Sequence, residues 1–429
     1  MPKGKKKTKG KGKGKGKSKA KKDVLGADGD SKKLLKTYER NCSMANSQMC
    51  PGIKQLLKAA AEENKVITKF ILESVQVVKE NDLPVLLDPF LSALRQERYK
   101  HVKDLHIWDY LMSYEDMAYL ALLLEKSIFP IRLLELLDCL IDCQTIPRLA
   151  RSLIFCEQMT ILVLDYNEFG DEGCKLLCAG LASNITLLSL SLSYCNLGVK
   201  SGTYLGHTVS NTAISELYLD GNELQTEGAI ELIKLLVDQA ELEAYQREEE
   251  AKRLEEEKIE QANLERIKRY ESGTEASVGS ETEVTSQTEK GKKKKKKGKG
   301  KRKKKKRAPK GPPPVGPWLN KLHLADNGID GYGDSGQLAP IICMRLFKKL
   351  LMNSKCFVEL DLEDNSIGEL GGREILEGLT ARKEAKLGAC KVRTIHKMTA
   401  DTFNAIVKLG SGLKKKGKRK GKKGKKKKK

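Results

Sequence analysis

The hydrophobic positions between residues 161 and 222 recur with a period of 27 or 28 residues. The three copies are Leu162, Leu164, Asn167 and Phe169, then Leu190, Leu192, Cys195 and Leu197, then Leu217, Leu219, Asn222 and Leu224. A fixed period of this size is typical of a solenoid, in which each short unit buries its apolar face only against its neighbours. We therefore expect a stack of similar units rather than one closed core.

Each unit predicts a strand followed by a helix. The first two leucines are two residues apart, so on a strand both face the same side and enter the core. The Asn or Cys that follows ends the strand, and the amide of Asn can bond backbone groups of adjacent units. After Phe169 the apolar residues Leu176, Leu177 and Leu181 recur at helical spacing.

This arrangement resembles the leucine-rich repeats of the ribonuclease-inhibitor type, whose units have a similar length and alternate Asn with Cys at the turn. The resemblance implies an α/β solenoid shaped like a horseshoe, with a parallel sheet on the concave face, helices on the convex face and helical caps at the ends. A fold of this kind does not by itself specify a function.

The same template extends in both directions from the central units. It fits 131–141 and 102–112, fits 67–77 more loosely, and returns at full strength over 319–329 and 357–367. These matches predict the following organisation: a helical N-terminal cap with a possible degenerate repeat over 31–100, repeats over 101–240 and 318–382, and a C-terminal cap over 383–410.

The region 241–317 interrupts the repeats. Its composition predicts a charged helix, then an acidic Ser/Thr-rich segment, then a polybasic block, while 1–30 and 411–429 are predicted to be disordered Lys-rich tails. The helix lacks sustained heptads, which makes a coiled coil the weaker alternative. We expect the later repeats to stack directly on the earlier ones, because two units alone are too few to be stable.

Charge is distributed very unevenly along the chain. Forty-one of the 81 Lys and Arg residues lie in 1–22, 290–310 and 411–429. The remainder holds 40 basic and 57 acidic residues, a net charge of −17. The polybasic block resembles a nuclear-localisation or nucleic-acid patch, and the candidate polyanion-binding residues are Lys292, Lys293, Lys294, Lys301, Arg302, Lys303 and Arg307. Without interleaved aromatic residues, binding of RNA, DNA or acidic protein tails would be electrostatic and salt-sensitive. A purely solubilising role is the alternative.

The sequence offers no convincing catalytic, cofactor or metal site. Gly16, Lys17 and Ser18 imitate part of a P-loop, but the required first glycine is replaced by Lys11. The eleven cysteines lack zinc spacing and favour reduced, packed thiols in an intracellular protein. The longest apolar region, 120–141, contains five charged residues and does not predict a transmembrane span.

The strand residues that point away from the core are the candidate binding residues. They predict an acidic concave face with a few aromatic contacts, whose candidate partner-binding residues are Glu135, Asp165, Tyr166, Tyr194, Glu216, Tyr218, Asp220, His323, Glu359, Asp361 and Glu363. The alternative is a sheet face kept soluble by its charge.

These features favour a non-catalytic scaffold that binds other proteins through its repeats and is tethered to polyanions by its basic tails. The expected location is intracellular, either cytoplasmic or associated with the cytoskeleton or cilia. One alternative is a nuclear or nucleolar RNA-associated protein. Another, which rests on the family resemblance alone, is a regulator of a GTPase or a ribonuclease.

Overall fold

The computed structural model of the protein describes residues 29–74, 83–126, 128–271, 315–395 and 397–411. The terminal Lys-rich tails (except for residues 29, 30 and 411), the acidic Ser/Thr-rich segment and the polybasic block lie outside the described residues. In the described part, no helix has the length and apolar character needed to cross a bilayer.

Strands and helices alternate along most of the described residues. The strands are β1 Lys69–Glu73, β2 Asp104–Trp108, β3 Leu133–Leu137, β4 Ile161–Val163, β5 Ser189–Ser191, β6 Glu216–Tyr218, β7 Lys321–His323, β8 Glu359–Leu362 and β9 Lys391–Thr394. The helices are α1 Asp30–Met44, α2 Pro51–Glu63, α3 Asp88–Gln96, α4 Tyr114–Leu124, α5 Ile146–Leu153, α6 Gly170–Leu181, α7 Val199–Asn211, α8 Gln225–Glu271, α9 Ala339–Asn353, α10 Gly368–Glu384 and α11 Ala400–Gly410.

The strands form one parallel sheet in which they lie side by side in chain order. Register places the first core leucine of each repeat in one row, so that Leu134 pairs with Leu162, which pairs with Leu190, which pairs with Leu217. All four side chains are fully buried, together with one leucine in each of the helices that follow, namely Leu149, Leu177, Leu205 and Leu232. The predicted α/β leucine-rich repeat solenoid is confirmed.

Strand β7 pairs directly with β6, although α8 and the segment 272–314 lie between them in the chain. Leu217 pairs with Leu322 and Tyr218 with His323. Residues 242–313 separate from the repeats as a second unit, of which the structure describes the helix as far as Glu271. Within this helix Lys252 and Glu248, four residues apart, form an ion pair of 3.1 Å.

The predicted C-terminal cap contains a strand that the repeat template did not reveal. Strand β9 pairs in parallel with β8 through Glu359–Lys391 and Asp361–Arg393. Its core side holds Val392 and Thr394, where the units of β3 to β8 hold two leucines. Only one of the two core positions of β9 is therefore strongly apolar, which is why the repeat template did not predict this strand. The strand forms because its backbone pairs with that of β8.

Buried asparagines at the ends of strands tie adjacent units together. The side-chain oxygen of Asn167 accepts hydrogen bonds from the backbone N–H groups of Cys139 (3.0 Å) and Ile141 (3.1 Å) in the preceding unit. Its amide nitrogen donates to the carbonyl groups of Leu136 and Leu164, both at 2.8 Å. One side chain thus satisfies four backbone groups that would otherwise be buried without partners.

Replacing Asn167 by alanine is expected to lower the free energy of unfolding by about 3 kcal/mol, because alanine replaces none of the four buried bonds and each contributes roughly 0.5–1 kcal/mol. The matched control is Cys195→Ala at the same position of the next unit. Its thiol makes a weak bond to the carbonyl of Leu164, so a loss of about 1 kcal/mol is expected. Urea unfolding midpoints measure both, and equal losses would contradict the role of the amide.

Candidate protein-binding face

The helices cover one face of the sheet, and the other, which we call the open face, carries alternate residues of each strand. All eleven predicted partner-binding residues lie on this face or in the turns that follow it. Six of them lie within strands, namely Glu135, Glu216, Tyr218, His323, Glu359 and Asp361. Asp165, Asp220 and Glu363 follow a strand by one or two residues, and Tyr166 and Tyr194 follow a strand by three.

In the part of the open face formed by β6 to β9, basic side chains pair with three of the predicted acidic residues. Lys321 lies 2.9 Å from Glu216 on the neighbouring strand. Lys391 and Arg393 of β9 approach Glu359 and Asp361 of β8, each at 2.6 Å. The sequence did not predict these ion pairs, because β9 was not predicted and Lys321 had not been assigned to the open face.

The ion pairs shift the ionisation of their members. Lys391 lowers the pKa of Glu359, and Glu216 raises the pKa of Lys321. His323 packs edge-to-face on Tyr218 with ring centroids 4.6 Å apart, and its Nδ1 lies 3.6 Å from the carboxylate of Asp220. Glu216, Glu359 and Asp361 therefore belong to a network of ion pairs that links neighbouring strands.

A second network lies on β2 and β3, and the sequence analysis found only one of its members. Glu135 contacts the Nδ1 atom of His106 at 2.7 Å and accepts a hydrogen bond of 3.0 Å from the indole nitrogen of Trp108. His106 and Trp108 alternate with the buried Leu105 and Ile107. That alternation could have identified both as residues of the open face.

Between the two networks the face is uncharged. Strands β4 and β5 contribute Ile161, Val163, Ser189 and Ser191. At the end of this strip Asp165 accepts a hydrogen bond of 2.9 Å from the backbone N–H of Ser193. Burial raises the pKa of Asp165, and the nearby carboxylates of Glu135 and Asp220 raise it further.

The carboxyl ends of the strands meet in a row of residues that we call the carboxyl rim. In seven consecutive units the residue at this position has a left-handed backbone, with φ between +49° and +67°; the seven are Asp109, Asp138, Tyr166, Tyr194, Gly221, Asp326 and Asp364. Glycine and aspartate tolerate this conformation, whereas a bulky side chain rarely adopts it. Tyr166 and Tyr194 therefore hold strained positions, at a cost of about 1–3 kcal/mol each.

The two tyrosines of the rim form one exposed aromatic surface, the tyrosine pair. Their rings stack with centroids 4.7 Å apart and planes 7° from parallel, and 51% of Tyr166 and 43% of Tyr194 is exposed. The Tyr194 ring lies so close to Gly221 that a β-carbon there would fall 2.1 Å from it. Glycine at 221 thus makes room for the ring.

Carboxylates surround the tyrosine pair. Partial burial raises the pKa of the Tyr194 phenol, and Asp326, Asp220 and Asp364 raise it further. On the Tyr166 side the next residue of the rim is Asp138, which is exposed. The rim therefore presents stacked aromatic rings in a field of negative charge.

The sequence also predicts polyanion-binding residues. Lys292, Lys293, Lys294, Lys301, Arg302, Lys303 and Arg307 lie outside the described residues. In the part of the chain that is described, no three His, Cys, Asp or Glu side chains converge in a way that would hold a metal ion.

Comparison with known proteins identifies the repeats. A family model described as "Leucine Rich repeat" matches residues 156–178 and 183–206. The human protein "NACHT, LRR and PYD domains-containing protein 13" is 35% identical over 104 residues, which are 24% of this chain and 10% of that protein. The chain thus spans about a tenth of the length of this relative.

Proposed function

We propose that this chain, which is a leucine-rich repeat protein, acts as a non-catalytic scaffold that binds another protein through the tyrosine pair and the adjoining strip of the open face. Leucine-rich repeats commonly serve protein–protein interaction, and the repeats alone do not indicate which surface is used. The observation that carries the choice of surface is the strained, exposed stack of Tyr166 and Tyr194.

Strain of this kind supports a functional role because stability alone would favour another residue. Five other units place aspartate or glycine at the same rim position. Aromatic residues are enriched at the centres of protein interfaces, where a large rigid ring is buried at little cost in conformational entropy. Backbone strain that persists without benefit to stability is characteristic of binding sites.

The surroundings favour a basic partner segment. A guanidinium group can stack on the exposed ring of Tyr166 while it pairs with the carboxylate of Asp138. Farther along the rim, Asp326 and Asp364 offer further carboxylates. The uncharged strip with Ile161 and Val163 accommodates an apolar side chain of the same segment.

Replacing both tyrosines by asparagine tests the proposal, since asparagine tolerates the left-handed backbone. We expect capture of the partner by Tyr166→Asn/Tyr194→Asn to fall at least about tenfold, because truncating an interface hot spot costs roughly 2 kcal/mol or more. The urea midpoint should stay the same or rise, since relief of strain offsets loss of the stack. Quantitative affinity capture from cells and equilibrium unfolding measure the two effects.

The matched control replaces two exposed tyrosines that belong neither to a strand nor to the row of carboxyl-rim residues, namely Tyr245→Ser in α8 and Tyr332→Ser in the loop between β7 and α9. This variant should capture the same proteins as the unmodified chain. A tyrosine-pair variant that keeps its partner, or a control that loses it equally, would contradict the proposed surface.

The same proposal assigns a tethering role to the lysine-rich stretches. The observation that favours it is the concentration of 41 of the 81 basic residues in three short stretches. Such stretches attract polyanions, among them RNA and acidic protein tails of the kind found on cytoskeletal filaments, and binding of this kind weakens as salt rises. A non-catalytic role accords with Glu216, Glu359 and Asp361, each of which is paired with a cation on the neighbouring strand.

A further inference from the structure

The opposite edge of the sheet has a different chemistry. Three loops at this edge lead from α4, α5 and α6 into β3, β4 and β5, and we call them the amino rim. They comprise residues 125–132 (without residue 127), 154–160 and 182–188. Each exposes large apolar side chains to solvent: Ile128 (41%), Ile154 (51%), Phe155 (58%) and Ile185 (53%). Single exposed apolar residues are ordinary, but a group in three adjoining loops marks an interaction surface.

Hydrogen bonds between the loops hold these residues together as one patch. Thr186 donates to the carbonyl of Cys156 at 3.1 Å, and Asn184 donates to that of Leu153 at 3.2 Å. The thiol of Cys156 in turn points at the carbonyl of Leu124, 3.8 Å away. The third loop is therefore bonded to the second, and the second lies against the end of α4.

Basic residues flank the patch. Lys103, Arg132 and Arg151 are exposed beside it, and Lys126 is exposed within it. Of the two acidic residues in these loops, Glu125 is paired with Arg148 at 2.6 Å and Glu157 is exposed. The amino rim thus combines protruding apolar side chains with a net positive charge.

The cavity that the described residues form beside the patch is too small for a peptide side chain. The cavity beside Phe155, bounded also by Lys126 and Phe129, has a volume of about 20 Å³, little more than one water molecule needs. Peptide recognition requires pockets for anchoring side chains, whereas a lipid bilayer takes up protruding apolar residues without any matching cavity. Apolar tips flanked by Lys and Arg are the combination that binds the interface of an anionic membrane.

We propose that the amino rim docks on anionic lipid bilayers, with Ile128, Phe155 and Ile185 inserted among the acyl chains and Lys103, Arg132 and Arg151 at the headgroups. The lysine-rich stretches of the same chain add electrostatic attraction to the same surface. This surface lies at the opposite ends of the strands from the carboxyl rim. Lipid binding and partner binding at the tyrosine pair are therefore separate functions with separate tests.

Flotation of the full chain with vesicles of phosphatidylcholine, with and without phosphatidylserine, tests the proposal. We expect the unmodified chain to float with the anionic vesicles, and Ile128→Ser/Phe155→Ser/Ile185→Ser to partition at least about tenfold more weakly, because buried CH₂ groups supply the insertion energy. The matched control Leu338→Ser/Ile342→Ser/Leu370→Ser removes three exposed aliphatic side chains from α9, α10 and the residue before α9. It should bind like the unmodified chain.

A second measurement distinguishes insertion of the apolar side chains into the bilayer from electrostatic attraction of the lysine-rich stretches alone. Phe155→Trp should show a blue-shifted emission on anionic vesicles and quenching by brominated acyl chains, relative to the unmodified chain, while Leu370→Trp should show neither. Failure of the unmodified chain to float, flotation of the triple serine variant at full strength, or absence of quenching at position 155 would each overturn the proposal.

Discussion

Gly202→Ala is expected to destabilise the solenoid by about 2 kcal/mol or more. Gly202 lies in α7, where a β-carbon would fall 2.1 Å from the backbone oxygen of Gly228 and 2.6 Å from its carbonyl carbon. Both atoms belong to the backbone of α8, so no side-chain rotation relieves the clash and the two helices must separate. Overpacking costs about 1–3 kcal/mol and sometimes more, and the gain of about 1 kcal/mol in helix propensity offsets only part of it.

Gly52→Ala supplies a control of opposite sign. Gly52 lies in α2 with no atom within 4 Å of the position its β-carbon would take. Alanine should therefore stabilise the protein by about 0.5–1 kcal/mol, through helix propensity alone. Urea unfolding followed by circular dichroism measures both variants. Midpoints that move in the same direction would contradict the close approach of α7 and α8.

Periodicity predicted the fold because each unit repeats one local rule. Leucines two residues apart define a strand, and apolar residues at helical spacing define the return to the next strand. The repeat pattern correctly placed Leu162 and Leu217 in strands, where each pairs with the equivalent leucine, Leu190, of the unit between them. It failed for β9, since Val392 alone supplies a strong apolar signal there.

The candidate site was less accessible to sequence reasoning, because its chemistry depends on neighbours across the sheet. That Glu216 meets Lys321 follows from the register of β6 and β7, whose paired residues lie 105 positions apart. The stack of Tyr166 on Tyr194 depends equally on a backbone conformation that the sequence does not state. The roles assigned to these residues remain predictions.

Helix dipoles favour charges of opposite sign at the two rims. In parallel β–α–β units the helix runs back along the strands, so helices begin at the carboxyl rim and end at the amino rim. Acidic residues such as Asp171 and Glu172 occupy first turns, where they stabilise the positive end of the helix. Basic residues near the last turns, such as Arg151, complement the negative end. Helix electrostatics therefore favours the charges at the ends of α5 and α6, but it does not explain the tyrosines or the exposed isoleucines.

Arg382→Met is expected to cost about 4 kcal/mol of folding free energy, the largest effect of any single substitution considered. Arg382 is only 2% exposed, and burial lowers the pKa of its guanidinium group. The guanidinium donates to four backbone carbonyls, those of Leu351 (2.8 Å), Ser354 (2.6 Å), Phe357 (2.6 Å) and Gly388 (2.5 Å). It thereby joins the end of α9, the start of β8 and the turn after α10. Methionine fills similar space but leaves buried carbonyls without partners, at about 1–3 kcal/mol for each one that stays dry.

The planar guanidinium group of Arg382 makes contacts that another buried cation could not make. Arg382→Lys keeps the charge but brings one compact ammonium group where a planar guanidinium spans several acceptors, so more than half of the loss should remain. Arg373→Met on the same helix removes an exposed arginine whose ion pair with Glu369 lies at the surface, and should cost less than about 0.5 kcal/mol. Urea midpoints rank the three variants, and hydrogen exchange at β8 and β9 locates the loss. Only a guanidinium group reaches four carbonyl oxygens from three segments at once. If Arg382→Lys were as stable as the unmodified protein, the positive charge rather than these four contacts would therefore be the stabilising element.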